Sequence, residues 1–147
     1  MINGIHHTSF TVSDLERSVA FYRDMLGMKV IWDSVQAGIE FKGPVADAVT
    51  GCPRTEQHIV YLGLGESLIE LVQYMPSGRP LADNKASDTG SCHVCFRTEN
   101  ILQFYKKLVA NKVRVHCAPQ TMGPLSVLYF RDPDGIILEV IEGGLPM

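Results

Sequence analysis

Two imidazoles and two carboxylates recur at matching places in this chain. His7 opens the segment HTSFTV and His93 opens HVCFR; Glu70 lies in SLIELVQY and Glu139 in IILEVIE. A lone glutamate in a strand ordinarily marks a solvated face. An isolated carboxylate is costly to bury unless it is paired or binds a metal. Two such glutamates at equivalent positions, each with a histidine at the head of its half of the chain, form a different pattern. Two imidazoles and two carboxylates make a donor set suited to a divalent transition metal, with room for water or substrate oxygens.

The elements that must position these groups follow from periodicity. A strand is predicted at about 4–12, where alternation puts His7, Ser9 and Thr11 on one face and His6, Thr8, Phe10 and Val12 on the other, helix-packed face. DLERSVAFYRDML then predicts a helix over 14–26, with Leu15, Val19, Tyr22 and Leu26 on one stripe, Asp14 as N-cap and Gly27 as the stop. Strands follow at about 28–36, 56–63 and 67–74, the last two joined by the glycine-containing LGLGES. The segment MPSGRPLADNKASDTG reads as a linker. A strand at about 91–98, a helix at 100–111 and strands at about 113–117, 124–131 and 136–142 complete the reading.

That is β-α-β-β-β written twice, an α+β plan in a single domain of 147 residues. Module one covers about 1–75, the linker about 76–90 and module two about 91–147. Phe10, Asp14 and Leu15 follow His7 at the spacings at which Phe96, Asn100 and Ile101 follow His93. The repeat therefore pairs His7, not His6, with His93, and Glu70 with Glu139. An insertion around AGIEFKGPVADAVTGCPRT accounts for the longer first module, and its VADAVT stretch suits a helical turn. Pseudo-twofold symmetry would bring His7, Glu70, His93 and Glu139 to one central point.

Composition narrows the partners. A net charge of −3 and a pI near 5.9 leave no footprint for nucleic acid or an anionic membrane, and no apolar run approaches a membrane span. MINGIHHTS has neither the basic nor the apolar region of a signal peptide, and four cysteines suit reduced thiols, so a cytoplasmic location is expected. Cys92 and Cys95 form a CxxC without a second such pair, and strand alternation sends their side chains apart, which disfavours a zinc knuckle or redox pair. Trp32 and the pairs Phe21-Tyr22 and Phe104-Tyr105 are assigned to the core, and RDPDG (131–135) to a tight turn.

HTSFTVSDLERSVAFYRDMLGMKV and YFRDPDGIILEVIE resemble the opening and closing signatures of the vicinal oxygen chelate superfamily. That group includes glyoxalase I, methylmalonyl-CoA epimerase, extradiol dioxygenases and the fosfomycin and bleomycin resistance proteins. The resemblance spans nearly the whole chain and departs mainly near 37–56. It implies two tandem βαβββ modules forming cupped mixed sheets around a central metal, with His7, Glu70, His93 and Glu139 at the ligand positions. Zinc, nickel, cobalt, manganese and iron all accept such donors. The resemblance further implies a homodimer and a metal-dependent isomerase, epimerase or glyoxalase-type lyase. Such an enzyme acts through an enolate of a small carbonyl or acyl-thioester substrate, with Glu139 and Glu70 as acid and base.

Two other classes share the fold. A non-haem iron extradiol dioxygenase resembles a two-His-one-carboxylate site, against which the extra carboxylate of Glu70 counts. A drug- or metabolite-sequestering resistance protein often lacks the ligands altogether. In glutathione-dependent glyoxalase I an Arg on the first strand and an Asn after the second ligand bind the tripeptide; the matching positions here are Thr11 and Tyr74. Methylmalonyl-CoA epimerase usually has Gln where this chain has Glu70. In that epimerase a glutamate on the strand comparable to EQHIVYL takes part in proton transfer, and His58 aligns there. His58 and Arg97 are accordingly candidates for substrate binding, Arg97 as an anion partner sharing the alternation of His93. A surface strand position is the alternative for each.

Overall fold

Local signals set most of the elements. The computed structural model describes residues 1–144. Strand β1 (Thr8–Thr11) leads to Asp14, whose carboxylate accepts the Arg17 N–H at 3.0 Å and starts helix α1 (Leu15–Asp24). Gly27 follows at φ 74°, a left-handed conformation that glycine adopts without a Cβ clash and that turns the chain out of the helix. Strands β2 (Lys29–Asp33) and β3 (Phe41–Lys42), helix α2 (Pro44–Thr50) and strands β4 (Glu56–Leu64) and β5 (Ser67–Met75) complete the first half. In the second half β6 (Val94–Arg97) leads to Asn100, whose side-chain oxygen accepts the Gln103 N–H at 2.9 Å and starts α3 (Ile101–Ala110). Strands β7 (Gln120–Met122), β8 (Leu125–Arg131) and β9 (Ile137–Gly143) follow.

The chain divides into two compact units, Met1–Pro80 and Leu81–Met147. In the first, a mixed sheet runs β1-β5-β4-β2, with β3 also on β4; β1 is parallel to β5 and the other pairs are antiparallel. In the second, a mixed sheet runs β6-β9-β8-β7, with β6 parallel to β9. Each unit is thus built on the β-α-β-β-β plan, and the fold is α+β.

Strand alternation gives each sheet two faces. Phe10, Val60, Leu62, Ile69 and Leu71 are buried on one face of the first sheet, together with Leu15 and Tyr22 from α1. The Phe10 and Tyr22 rings stack at 6.1 Å, and Gln73 joins sheet to helix by accepting the Leu15 N–H and donating to the Ser13 carbonyl. In the second unit Leu128, Phe130, Leu138 and Val140 share a face, and α3 supplies Ile101, Leu108 and a Phe104 ring 5.6 Å from Phe130. Burying each large apolar side chain contributes about 1.5–3 kcal/mol, so these faces hold the helices down. Glu70, between Ile69 and Leu71, and Glu139, between Leu138 and Val140, necessarily point from the opposite faces.

Several expectations change. Residues 113–117 make an isolated bridge, Val115 to Phe130, and the regular pairing resumes only at β7. Pro119 lies between them and has no N–H to continue a ladder. His6 does not lie on the helix-packed face: β1 begins at Thr8, and His6 is exposed before it. Trp32 is half-buried against Phe41 and Tyr61 rather than beneath a helix. Among the described residues no helix is long and apolar enough to cross a membrane.

Candidate metal centre

The register of the first sheet lines up four side chains on the face opposite α1. Ser9 on β1 lies opposite Glu70 on β5, Glu70 opposite Tyr61 on β4, and Tyr61 opposite Trp32 on β2. His7, two residues before Ser9, joins that row, with its Nε2 at 3.4 Å from Glu70 Oε2. The second sheet repeats the arrangement. Cys95 on β6 lies opposite Glu139 on β9, and Glu139 opposite Tyr129 on β8. His93, two residues before Cys95, places its Nε2 3.1 Å from Glu139 Oε2.

These separations suit two ligands of one cation. Donors about 2.1 Å from a shared ion lie roughly 3.0 Å apart at a right angle and roughly 3.4 Å apart at the tetrahedral angle. Side-chain exposure is 30% for His7 and 36% for His93, against 12% for Glu70 and 17% for Glu139. The imidazoles are therefore reachable while the carboxylates are shielded, which favours a counter-charge beside them. Each unit supplies one His–Glu pair; among the described residues no group of three or more His, Cys, Asp or Glu is gathered around a point that could hold an ion. The donor chemistry of both pairs fits a divalent metal.

A tyrosine stands across the sheet from each glutamate, and neither tyrosine follows from strand patterning alone. Tyr61 Oη donates to Glu70 Oε1 at 2.5 Å, and its ring lies edge-on to His7 at 5.4 Å. Burial, reinforced by the Glu70 carboxylate, pushes the Tyr61 phenol up to about 12, so it remains a donor at neutral pH. The Tyr129 ring is 5.1 Å from His93, and burial followed by the Glu139 charge raises its phenol as well. The available sequence signal was a Tyr nine residues before Glu70 and ten before Glu139, one on each side of a hairpin. His6 adds a further contact: its Nδ1 is 2.8 Å from His7 Nδ1, the nitrogen turned away from Glu70.

The remaining candidates lie elsewhere. His58 is on the helix-covered face, opposite Gln73, and its Nε2 is 2.9 Å from Asp33 Oδ1, so the structure does not bring it to Glu70. Burial alone would raise Asp33, but the His58 bond and the N–H groups of Gln36 and Val35 outweigh it and hold the carboxyl below its ordinary range. Arg97 is exposed two residues beyond Cys95. It lines an open cavity of about 620 Å³ with Asn100, Gln103, Phe104 and Lys107, which runs from the cap of α3 to its last turn.

Known proteins share this architecture. Mouse mitochondrial methylmalonyl-CoA epimerase is 28% identical over 144 residues, covering 92% of this chain and 71% of that protein. A lactoylglutathione lyase of Salmonella typhimurium is 27% identical over 140 residues, covering 92% of this chain and 90% of that protein. The crystal structure of a glyoxalase family protein from Bacillus cereus superposes with a TM-score of 0.82 at 20% identity, covering 97% of this chain and 95% of that one. The family profile described as Glyoxalase/Bleomycin resistance protein/Dioxygenase superfamily matches residues 4–140. With that match over the two repeated His–Glu modules, the chain belongs to the glyoxalase/bleomycin resistance protein/dioxygenase superfamily.

Proposed function

We propose that this protein is a metal-dependent isomerase, epimerase or glyoxalase-type lyase that moves a proton at the carbon beside a carbonyl of a small oxo or acyl-thioester substrate. The observation that carries the reading is the repeated His–Glu pair, with Nε2–Oε2 separations of 3.4 and 3.1 Å. Likeness to both an epimerase and a lactoylglutathione lyase supports the enzyme class. His7, Glu70, His93 and Glu139 would hold one divalent ion, of the zinc, nickel, cobalt, manganese or iron group. Bound there, the ion would polarise the substrate carbonyl and make the neighbouring C–H more acidic.

The chain's own groups do the rest. Glu139 and Glu70 are the carboxylates assigned here as acid and base, and each would receive the proton and return it. The imidazoles of His7 and His93 would serve as nitrogen ligands throughout. Arg97, exposed at the end of β6, is assigned here as the partner of a carboxylate or phosphate on the substrate. Four free, exposed cysteines suit a reducing cytoplasm, and a homodimer is the assembly proposed.

The test begins with elemental analysis of protein purified without chelators, followed by solvent-deuterium exchange on 2-oxo acids and acyl-thioesters. About one equivalent of metal, with exchange abolished in Glu139→Gln, is the expected result. Stoichiometric iron with oxygen uptake on catechols would replace this reading with ring cleavage. Failure to bind any divalent ion after reconstitution would leave a binding protein.

A further inference from the structure

We propose that Tyr61 is a positioning residue that presets Glu70 as a one-oxygen ligand. The inference rests on the metal reading above and concerns how the first half of the donor set is held. Glu70 has two oxygens with different neighbours. Oε1 accepts the Tyr61 hydroxyl at 2.5 Å, while Oε2 faces His7 Nε2 at 3.4 Å. A phenol on one oxygen leaves the other to face the imidazole, and it opposes the carboxylate turning to clasp an ion with both. Hydrogen bonds to a charged acceptor are the short, strong ones, and outer partners of this kind orient metal ligands.

The phenol is itself held. Tyr61 lies opposite Glu70 in the β4–β5 ladder, so the bond spans one inter-strand step. The Trp32 ring packs beside it at 5.8 Å, and the His7 ring meets it edge-on at 5.4 Å. One side chain thus braces both donors of the first unit. The second unit carries the same His–Glu–Tyr row, but Cys95 stands on β6 where Ser9 stands on β1, and Cys92 precedes His93 where His6 precedes His7. Identical ligand types therefore have different outer neighbours in the two halves.

Tyr61→Phe removes the hydroxyl and keeps the ring. Cobalt(II) affinity, measured by competition with a chelator, should weaken tenfold or more in Tyr61→Phe, the range expected when an outer partner of a ligand is lost. The cobalt d–d spectrum should change as Glu70 gains its second oxygen for the ion, while near-ultraviolet circular dichroism stays that of the folded protein. The decisive comparison is a double-mutant cycle with Glu70→Ala. If Tyr61 acts through Glu70, Tyr61→Phe should cost no further affinity in the Glu70→Ala background, whereas a general packing role would add to it. Wild-type affinity and an unchanged spectrum in Tyr61→Phe, or full additivity in the cycle, would overturn the inference and leave the metal reading standing. Absence of cobalt binding by the wild type would overturn both.

Discussion

Arg131→Met should destabilise the second unit by about 3 kcal/mol, because the guanidinium ties three separate segments together at the end of β8. Arg131 is 5% exposed. Its Nε donates to His116 Nε2 at 3.0 Å, Nη1 donates to Asn84 Oδ1 at 3.1 Å and to the Gly135 carbonyl at 2.8 Å, and Nη2 donates to the Asn84 carbonyl at 2.7 Å. Methionine fills the stem's volume and donates nothing. The Gly135 and Asn84 carbonyls and His116 Nε2 all lose their donor, and each stranded part-buried acceptor costs towards the low end of about 1–3 kcal/mol. The side-chain oxygen of the half-buried Asn84 recovers water. The guanidinium's own desolvation cost also disappears, which together bring the net to about 3 kcal/mol. With a urea slope of about 2 kcal/mol/M, the unfolding midpoint should fall by about 1.5 M. Arg131→Lys should lie closer to methionine than to wild type, since an ammonium cannot reproduce the planar fork. A midpoint within about 0.3 M of wild type for Arg131→Met would refute the reasoning and show that Asn84 and Gly135 are satisfied without it.

Two smaller expectations follow from neighbouring contacts. His116 accepts from Arg131 and must stay neutral to do so; burial first, then the Arg131 and Arg114 charges, holds it below its ordinary 6.5. A depressed histidine contributes stability that is present above about pH 6.5 and lost as pH falls towards the folded value, because the unfolded chain takes up the proton first. His116→Gln should therefore flatten the loss of urea midpoint between pH 7 and 5, and equal slopes in the two proteins would refute the assignment. Asp14→Ala and Asn100→Ala each remove the first hydrogen bond of a helix, and each should lower stability by about 1 kcal/mol in thermal unfolding. A null effect for either would mean that tertiary packing, not the cap, sets that helix start.

Much of the architecture was legible because its signals are local. The stripe Leu15, Val19, Tyr22 and Leu26, the caps at Asp14 and Asn100, and Gly27 after α1 depend on neighbours within a few residues. The candidate ligands were legible for a different reason: the chain states the module twice, so His7 and Glu70 find counterparts in His93 and Glu139 without any coordinates. The likeness to the superfamily's signature segments led to the same four residues.

What tertiary structure decided was register. A shift of one residue in a hairpin sends every side chain to the other face. EQHIVYL can offer His58 or Tyr61 to the face that carries Glu70, and nothing within those seven residues chooses. The β4–β5 ladder chooses by setting Tyr61 opposite Glu70 and His58 opposite Gln73, which leaves His58 with Asp33 on the helix side. Trp32 moved from the expected core to the open face by the same ladder logic, through its pairing with Tyr61. The linker, which composition marks only as irregular, is pinned at Asn84 by an arginine 47 positions away. Periodicity and repetition are written along the chain, whereas the partner of a buried donor is settled only when distant strands close on one another.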